Sequence, residues 1–419
     1  MENFIIINTK FWMVVIMSKA YITTFSYDCE VAFNSTDGRQ IPILKESISC
    51  IISESDYQKK IMPIMYMKLR LLPSVYNLMV PQQGKGKIYL KLYRIRNKGA
   101  TSSAPKKVIY DEFDYYMTDD PNAYKKLDTR GEERGSAYKE CFIGLIKIDL
   151  QRKNQKTFEG IFKNTDALTL VQAATSEMKM VIQPFDHNKK YKNFVCPTIS
   201  SVAQFVAYLN QNDSFYKGSY MYFMDNDKTY LRSNDGSYID ARDGDLQYVA
   251  FDVRDLTARS ALATGMVEDV GQDSYIIYVP GTDAQIIIDR VTSNFVGKVN
   301  TVSPVDGAKL QVARINTSRI TNIGTAGSTI INVSDDSNAS SHIATKIAET
   351  SDTMIVTKID MDARVFTPNK QYLLCNYEDN PKYCGVYYLT NKKEIYLRNG
   401  THMNCQITLT LKKCADFVK

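Results

Sequence analysis

The sequence predicts a mostly β protein, a β-rich α+β chain in which two β modules flank a helix-plus-hairpin insert. Three observations carry that expectation. Apolar and polar residues alternate with period two in segment after segment. Gly, Asn, Asp and Pro separate these segments at hairpin-like spacing. Tyr is abundant (28 residues) while Trp occurs once, and aromatic residues favour the pleated, half-buried surface of a strand. At 419 residues the chain has room for two or three cores.

The alternation begins in 64–72, IMYMKLRLL, where Met65, Met67, Leu69 and Leu71 share one face and Tyr66, Lys68 and Arg70 the other. In 86–96, GKIYLKLYRIR, Ile88, Leu90 and Leu92 oppose Lys87, Tyr89, Lys91 and Tyr93. Such strands have one dry and one wet face. Between them, LLPSVYNLMVPQQGKG reads as a short helix and a turn, and 141–150, CFIGLIKIDL, as another strand. The segment 97–140 differs: it is long, polar and charged, and is expected to be a loop that contacts a partner. Two helices follow. One lies in 163–174, capped by Asn164 or Thr165. The other lies in 200–211, capped by Ser200 or Ser201, with Val202, Phe205, Val206 and Leu209 as its buried stripe. Beyond residue 246 strands return at 274–281, 284–290, 293–300, 309–316, 328–336, 353–361, 371–377, 385–391, 393–400 and 406–413, interrupted by a short helix at 341–349. The expected division is a first module in 1–195, an insert in 196–245 and a second module in 246–419. Residues 1–16, apolar but without a basic start, read as an upstream start or an added edge strand.

The chemistry-bearing residues are sparse. The net charge of +6 is mild for this length and its lysines are interspersed with acids, so no nucleic-acid partner is named by charge. His187, His342 and His402 are far apart. The stretch GSYMYFMDNDKTYLRSNDG (218–236) concentrates Asp225, Asp227 and Asp235. An EF-hand loop begun at Asp225 would need Gly where Tyr230 stands and Glu where Gly236 stands. The stretch is therefore expected to be a hairpin, 219–224 and 228–233, with Asp225-Asn226-Asp227 as its turn and Asn234-Asp235-Gly236 as a second. Replacing Asp225 and Asp227 by Asn is expected to leave assembly nearly intact, and Phe223→Asp is not. Cys375, Cys384, His402, Cys405 and Cys414 lack the close CxxC pairs that pre-organise zinc. Cys375 and Cys384 are expected to face each other across a hairpin, buried or paired. QQGKGK (82–87) and NIGTAGST (322–329) lack the ending of a phosphate-binding P-loop, and no G-x-S-x-G elbow occurs. No catalytic residue, metal ligand or cofactor is expected.

The order of segments is more informative than any motif. ESISCIISESDYQKKIMPIMYMKLRLLPSVYNLM (46–79) and GKIYLKLYRIR (86–96) resemble the start of bacteriophage baseplate hub proteins, from contractile and related tails. KTFEGIFKNTDALTLVQAA (156–174), MKMVIQPFDHNKKY (178–191), SSVAQFVAYLNQ, YMYFMDNDKTYLRSNDG and FTPNKQYLLCNYED (366–379) continue the resemblance, which covers most of 20–400. It implies two tube-like β-barrel domains per chain and a homotrimeric ring that mimics a six-fold tail tube. The implied partners are the chain itself, the tail tube protein, the central spike protein and other baseplate proteins. Phage DNA would pass through the lumen without specific binding. The implied place is the virion, assembled in the host cytoplasm without membrane insertion. On that view the 97–140 segment would contact neighbouring baseplate proteins, and its deletion would spare the ring but impair baseplate assembly. The competing readings are a tail-associated cell-wall hydrolase, which needs a carboxylate pair in a cleft, and a receptor-binding tail protein.

Overall fold

The computed structural model describes residues 19–21, 25–82, 85–96, 107–118, 138–210, 215–216, 220–233, 247–254, 267–287, 298–302, 310–314, 353–359, 361–377 and 381–416. Residues 1–16, the turn expected at 234–236, the strand at 328–336 and the helix at 341–349 lie outside them.

The strands of the first part are β1 (Lys19–Tyr21), β2 (Phe25–Asn34), β3 (Gln40–Ile43), β4 (Ile48–Asp56), β5 (Ile64–Leu71), β6 (Lys87–Arg96), β7 (Lys107–Thr118) and β8 (Lys139–Lys147). The middle holds β9 (Phe158–Asp166), β10 (Lys179–Ile182), β11 (Lys190–Ile199), β12 (Tyr220–Asp225) and β13 (Lys228–Ser233). Then come β14 (Tyr248–Arg254), β15 (Val267–Gly271), β16 (Ser274–Pro280), β17 (Ala284–Ile287), β18 (Lys298–Val302) and β19 (Leu310–Arg314). The last are β20 (Thr353–Ile359), β21 (Gln371–Tyr377), β22 (Gly385–Asn399) and β23 (His402–Asp416). Four α-helices accompany them: α1 (Pro73–Met79), α2 (Ile148–Asn154), α3 (Ala167–Ala174) and α4 (Val202–Asn210).

Eight strands close into an antiparallel barrel in the order β22-β4-β5-β8-β7-β6-β2-β23, sealed by the β22–β23 pair. The alternating sequence dictates its inside. Met65, Met67, Leu69 and Leu71 are buried with Ile88, Leu90 and Leu92, and β2 adds Tyr27, Cys29, Val31 and Phe33. Closure leaves no sheet edge on this unit. Two of its strands come from the far end of the chain.

The second β module is built on the same two strands. β22 continues into β21, β14, β16, β15 and β1, and β23 into β20 and β17. Among the described residues this sheet is open. One apolar core runs through both modules, from Met67 and Leu90 to Phe251 and Leu374. The change of partner along β22 occurs at Thr390. Before it, Tyr387 pairs with Tyr372; after it, Asn391 pairs with Asp56. The register shifts between Leu389 and Asn391, the signature of a bulge, which bends a strand from one sheet to another. The bulge is held by Thr390 Oγ1 donating to Thr410 O (3.0 Å) and by Tyr57 N–H donating to Thr390 O (3.0 Å).

Several expectations are corrected. The charged segment is not a loop throughout: Lys107–Thr118 is barrel strand β7, because Tyr110, Tyr115 and Met117 turn inward. Lys139 and Glu140 open β8, and 97–106 and 119–137 lie outside the described residues. Residues 148–154 leave β8 to form α2, burying Leu150. Asn164 and Thr165 belong to β9, and Asp166 caps α3, its carboxylate accepting from Thr169 N–H (2.9 Å). Residues 385–399 form one strand, since Thr390-Asn391 makes a bulge rather than a turn. The α4 stripe of Val202, Phe205, Val206 and Leu209 is buried, and Ser201 Oγ accepts from Gln204 N–H (3.2 Å). This second core also takes Leu150, Leu170, Val171 and Phe194 from upstream of residue 196.

Candidate functional site

The β12–β13 hairpin forms as expected: Asp225 pairs with Lys228, and Asn226 takes the left-handed conformation (φ 52°) that Asn tolerates. Its two aspartates differ sharply. Asp227 lies outside, in an exposed ion pair with Lys179 (2.6 Å). Asp225 is only 3% exposed and enters the end of the barrel, where Tyr57 Oη donates to its Oδ1 (3.1 Å). The Lys392 Nζ stands 3.6 Å from the same oxygen. Lys392 and Glu394 share the inward face of β22 with Tyr396, since side chains two apart on a strand point the same way.

The sequence does not announce this cluster, because its members are scattered along the chain from Tyr57 to Tyr396. Lys392 Nζ lies 3.8 Å from Glu394 Oε1 and donates to Phe366 O (3.3 Å), and Tyr396 Oη donates to Glu394 Oε2 (2.6 Å). Beside it, Lys147 stands 3.7 Å from Asp111, and Arg364 3.9 Å from the other oxygen of Asp111. Arg94 pairs with Asp362, which also accepts from Tyr110 Oη (3.0 Å). A hint was present in the sequence: KKEIY carries Lys392 and Glu394 at core positions of a strand that alternates with Tyr396.

Electrostatics follow from burial. Desolvation pulls the Lys392 ammonium down, but Asp225 and Glu394 outweigh it and hold its pKa above the ordinary value. Burial lifts the Glu394 carboxyl above its usual range, against the pull of Lys392 and Tyr396. Burial lowers Lys147, opposed by Asp111, Glu394 and Asp225. The hydroxyls of Tyr57 and Tyr396 are pushed far up by burial. The cavity among these groups measures about 40 Å³, room for about one water. A glycan-cleaving carboxylate pair needs space for a sugar between its two acids. Here both carboxylates are committed to Lys392, so what the arrangement does is tie the insert, β22 and the 361–366 turn together.

A larger hollow of about 520 Å³ lies at the root of the β9–β11 ribbon, between Gln151, Asn154, Gln155, Ser200 and Gln204, and no titratable side chain among the described residues lines it. Among the described residues no group of three His, Cys, Asp or Glu is placed to hold a metal ion. Cys375 and Cys384 are both free thiols, and burial pushes Cys375 up to about 12. His342 lies outside the described residues. Among those described, no helix is long and apolar enough to cross a membrane.

Residues 17–414 match the family described as bacteriophage PBS1 gene 109 protein. No curated protein matches the chain by sequence. Among solved structures, the chain is similar to the tail protein from Neisseria meningitidis MC58, at 11% identity over 92% of this chain and 97% of that one, TM-score 0.49. It is also similar to the 43 kDa tail protein of prophage MuSo2 from Shewanella oneidensis, at 8% identity over 92% and 98%, TM-score 0.47. A third is the Francisella PdpA–VgrG complex in its half-lidded form, at 11% identity over 100% and 63%, TM-score 0.46.

Proposed function

The chain belongs to the bacteriophage PBS1 gene 109 protein family, and from that premise we propose that it is a structural protein of the phage tail, the baseplate hub. In this reading it forms a homotrimeric ring at the distal end of the tail tube and joins the tube to the central spike and the surrounding baseplate. The observation that carries the reading is the shared β22–β23 hairpin. It welds two β units into one body with a continuous core. A chain that presents two rigidly related tube-like units can meet a six-fold tube with three copies. In this division 1–195 carries the first unit, 246–419 the second and 196–245 the insert, whose core also takes Leu150, Leu170, Val171 and Phe194 from upstream, and the hairpin is common to both units. The buried charges serve as a joint, and no catalytic step is part of the function. Phage DNA crosses the lumen without sequence-specific contact.

The mass of the purified chain tests this, measured by light scattering alone and with the tail tube and spike proteins of the same phage. A trimer, or trimerisation on the tube protein, is expected. A chain that stays monomeric with both partners present is not a hub.

A further inference from the structure

Lys392 and Asp225 face each other where β22 meets the β12–β13 hairpin, each with a side chain only 3% exposed. Among the described ion pairs no other has both partners so sealed: Lys370, equally buried, faces an Asp273 that is 49% exposed. Yet this pair makes no close charge-assisted bond. Its 3.6 Å separation exceeds the roughly 2.7–2.9 Å of such bonds. The Lys392 ammonium donates instead to Phe366 O (3.3 Å). Asp225 Oδ1 accepts from Tyr57 Oη (3.1 Å), and Oδ2 from Asn226 Nδ2 (3.3 Å). A third group stands by. Glu394 Oε1 lies 3.8 Å from Lys392 Nζ, and its other oxygen is fixed by Tyr396 Oη (2.6 Å). Tyr57, Phe223 and Tyr396, all buried, wall the site.

We propose that Lys392 and Asp225 condense into an intramolecular amide bond, with Glu394 carrying the protons. In water an ionised acid and amine resist condensation, because both ions are well hydrated. Here that hydration is already lost, and the amide replaces two costly buried charges by a neutral group. The fold also holds the amine against the carboxyl, which removes the entropy cost of bringing them together.

The steps balance without another reagent. Burial opposes the charge on Lys392, but Asp225 and Glu394 hold it as an ammonium, so a proton must leave before the nitrogen attacks. Burial also makes Glu394 a stronger base than an ordinary carboxylate. Glu394 takes a proton from Nζ and passes it to Asp225 Oδ2. The freed electron pair of Nζ bonds to Asp225 Cγ, while Tyr57 Oη donates to Oδ1 as negative charge gathers there. A second proton from Nζ follows the same route, the Cγ–Oδ2 bond breaks, and Oδ2 departs as water. One hydrogen stays on the amide nitrogen, Glu394 ends as it began, and nothing is oxidised or reduced. The cavity of about 40 Å³ among these groups has room for about one water, the by-product. The chain modifies itself once, with no turnover. The bond closes the chain between 225 and 392 into a loop, restraining the unfolded state as a disulfide does. It stands on this joint alone, whatever ring the chain forms.

Mass spectrometry of the denatured full-length chain tests the bond. Wild type is expected to be lighter than its sequence by one water. Its tryptic digest is expected to hold a branched peptide joining 218–228, which carries Asp225, to 383–393, which carries Lys392. Lys392→Met and Asp225→Ala are expected at full sequence mass. Glu394→Gln keeps both reacting groups and is expected to lose the link, with circular dichroism reporting whether it folds. A folded wild type at full sequence mass overturns the proposal, and so does a water loss that maps to any other residues. A Glu394→Gln chain that links as completely as wild type removes Glu394 from the chemistry and overturns the proposed proton route.

Discussion

Asp225 and Asp227 sit two residues apart in one turn and have opposite weights. Replacing Asp225 by Asn leaves Lys392 buried with a single carboxylate at 3.8 Å. Breaking a buried pair by removing one partner costs roughly 3–5 kcal/mol. Asp227→Asn removes an exposed pair that is worth at most about 1 kcal/mol. Urea midpoints of the two single variants are expected to separate clearly, and equal midpoints would remove Asp225 from the joint. The double replacement, expected to leave assembly nearly intact, is therefore expected to lower stability through Asp225 and not through Asp227. Glu394 gives a pH signature. Its folded pKa is raised, so its contribution to stability is fully present below the ordinary carboxylate pKa of about 4.3 and lost as pH rises through the raised value. Stability of wild type relative to Glu394→Gln is thus expected to fall from acid toward neutral pH. Parallel stability curves from pH 4 to 8 would show that the carboxyl is not perturbed.

At the scale of elements, Gly86 has a packing role just before β6. A Cβ there would meet the Phe33 ring at 2.7 Å and the Met117 methyl at 2.8 Å. The glycine lets the backbone lie against the barrel core, where Gly86 O accepts from Met117 N–H (3.3 Å). Gly86→Ala is expected to destabilise by about 1–3 kcal/mol through overpacking, with a lower melting temperature as the readout. An unchanged melting temperature would mean that the ring and methyl yield freely. β7 corrects the expected arm in the same way. A deletion that removes 107–118 takes a strand from a closed barrel and opens edges on β6 and β8. The strand inside 97–140 is not legible by period, because a bulge at Tyr110 breaks the alternation and an acid, Asp111, shares the face of Phe113, Tyr115 and Met117.

For the whole molecule, the contact between insert and barrel is the vulnerable joint. Phe223 is fully buried between Tyr57 (ring centroids 4.8 Å) and Tyr230 (5.0 Å), one side from the barrel and one from the insert. Arg232, buried beside Phe223, donates to Pro368 O (3.1 Å) and ties β13 to the turn before β21. Phe223→Asp loses the ring and buries a charge, a cost of roughly 5 kcal/mol or more, comparable to the stability of a domain. It is expected to yield insoluble chain or one that melts far below wild type. A soluble variant with wild-type melting would show that the joint does not hold the molecule together.

The sequence by itself determined the mostly β class, the inward faces of β5 and β6, the α4 stripe with its Ser201 cap, and the 220–233 hairpin. These are local properties: period, turn chemistry and capping act over a few residues, and packing followed them. Only the tertiary structure decided that the C-terminal hairpin closes the first barrel, that Thr390 is a bulge between two sheets, and that Asp225 meets Lys392. Each of these joins residues far apart in the chain. No periodicity can specify such a pairing, because a strand edge accepts any partner of suitable register, and a buried charge is explained only by the opposite charge the fold brings beside it.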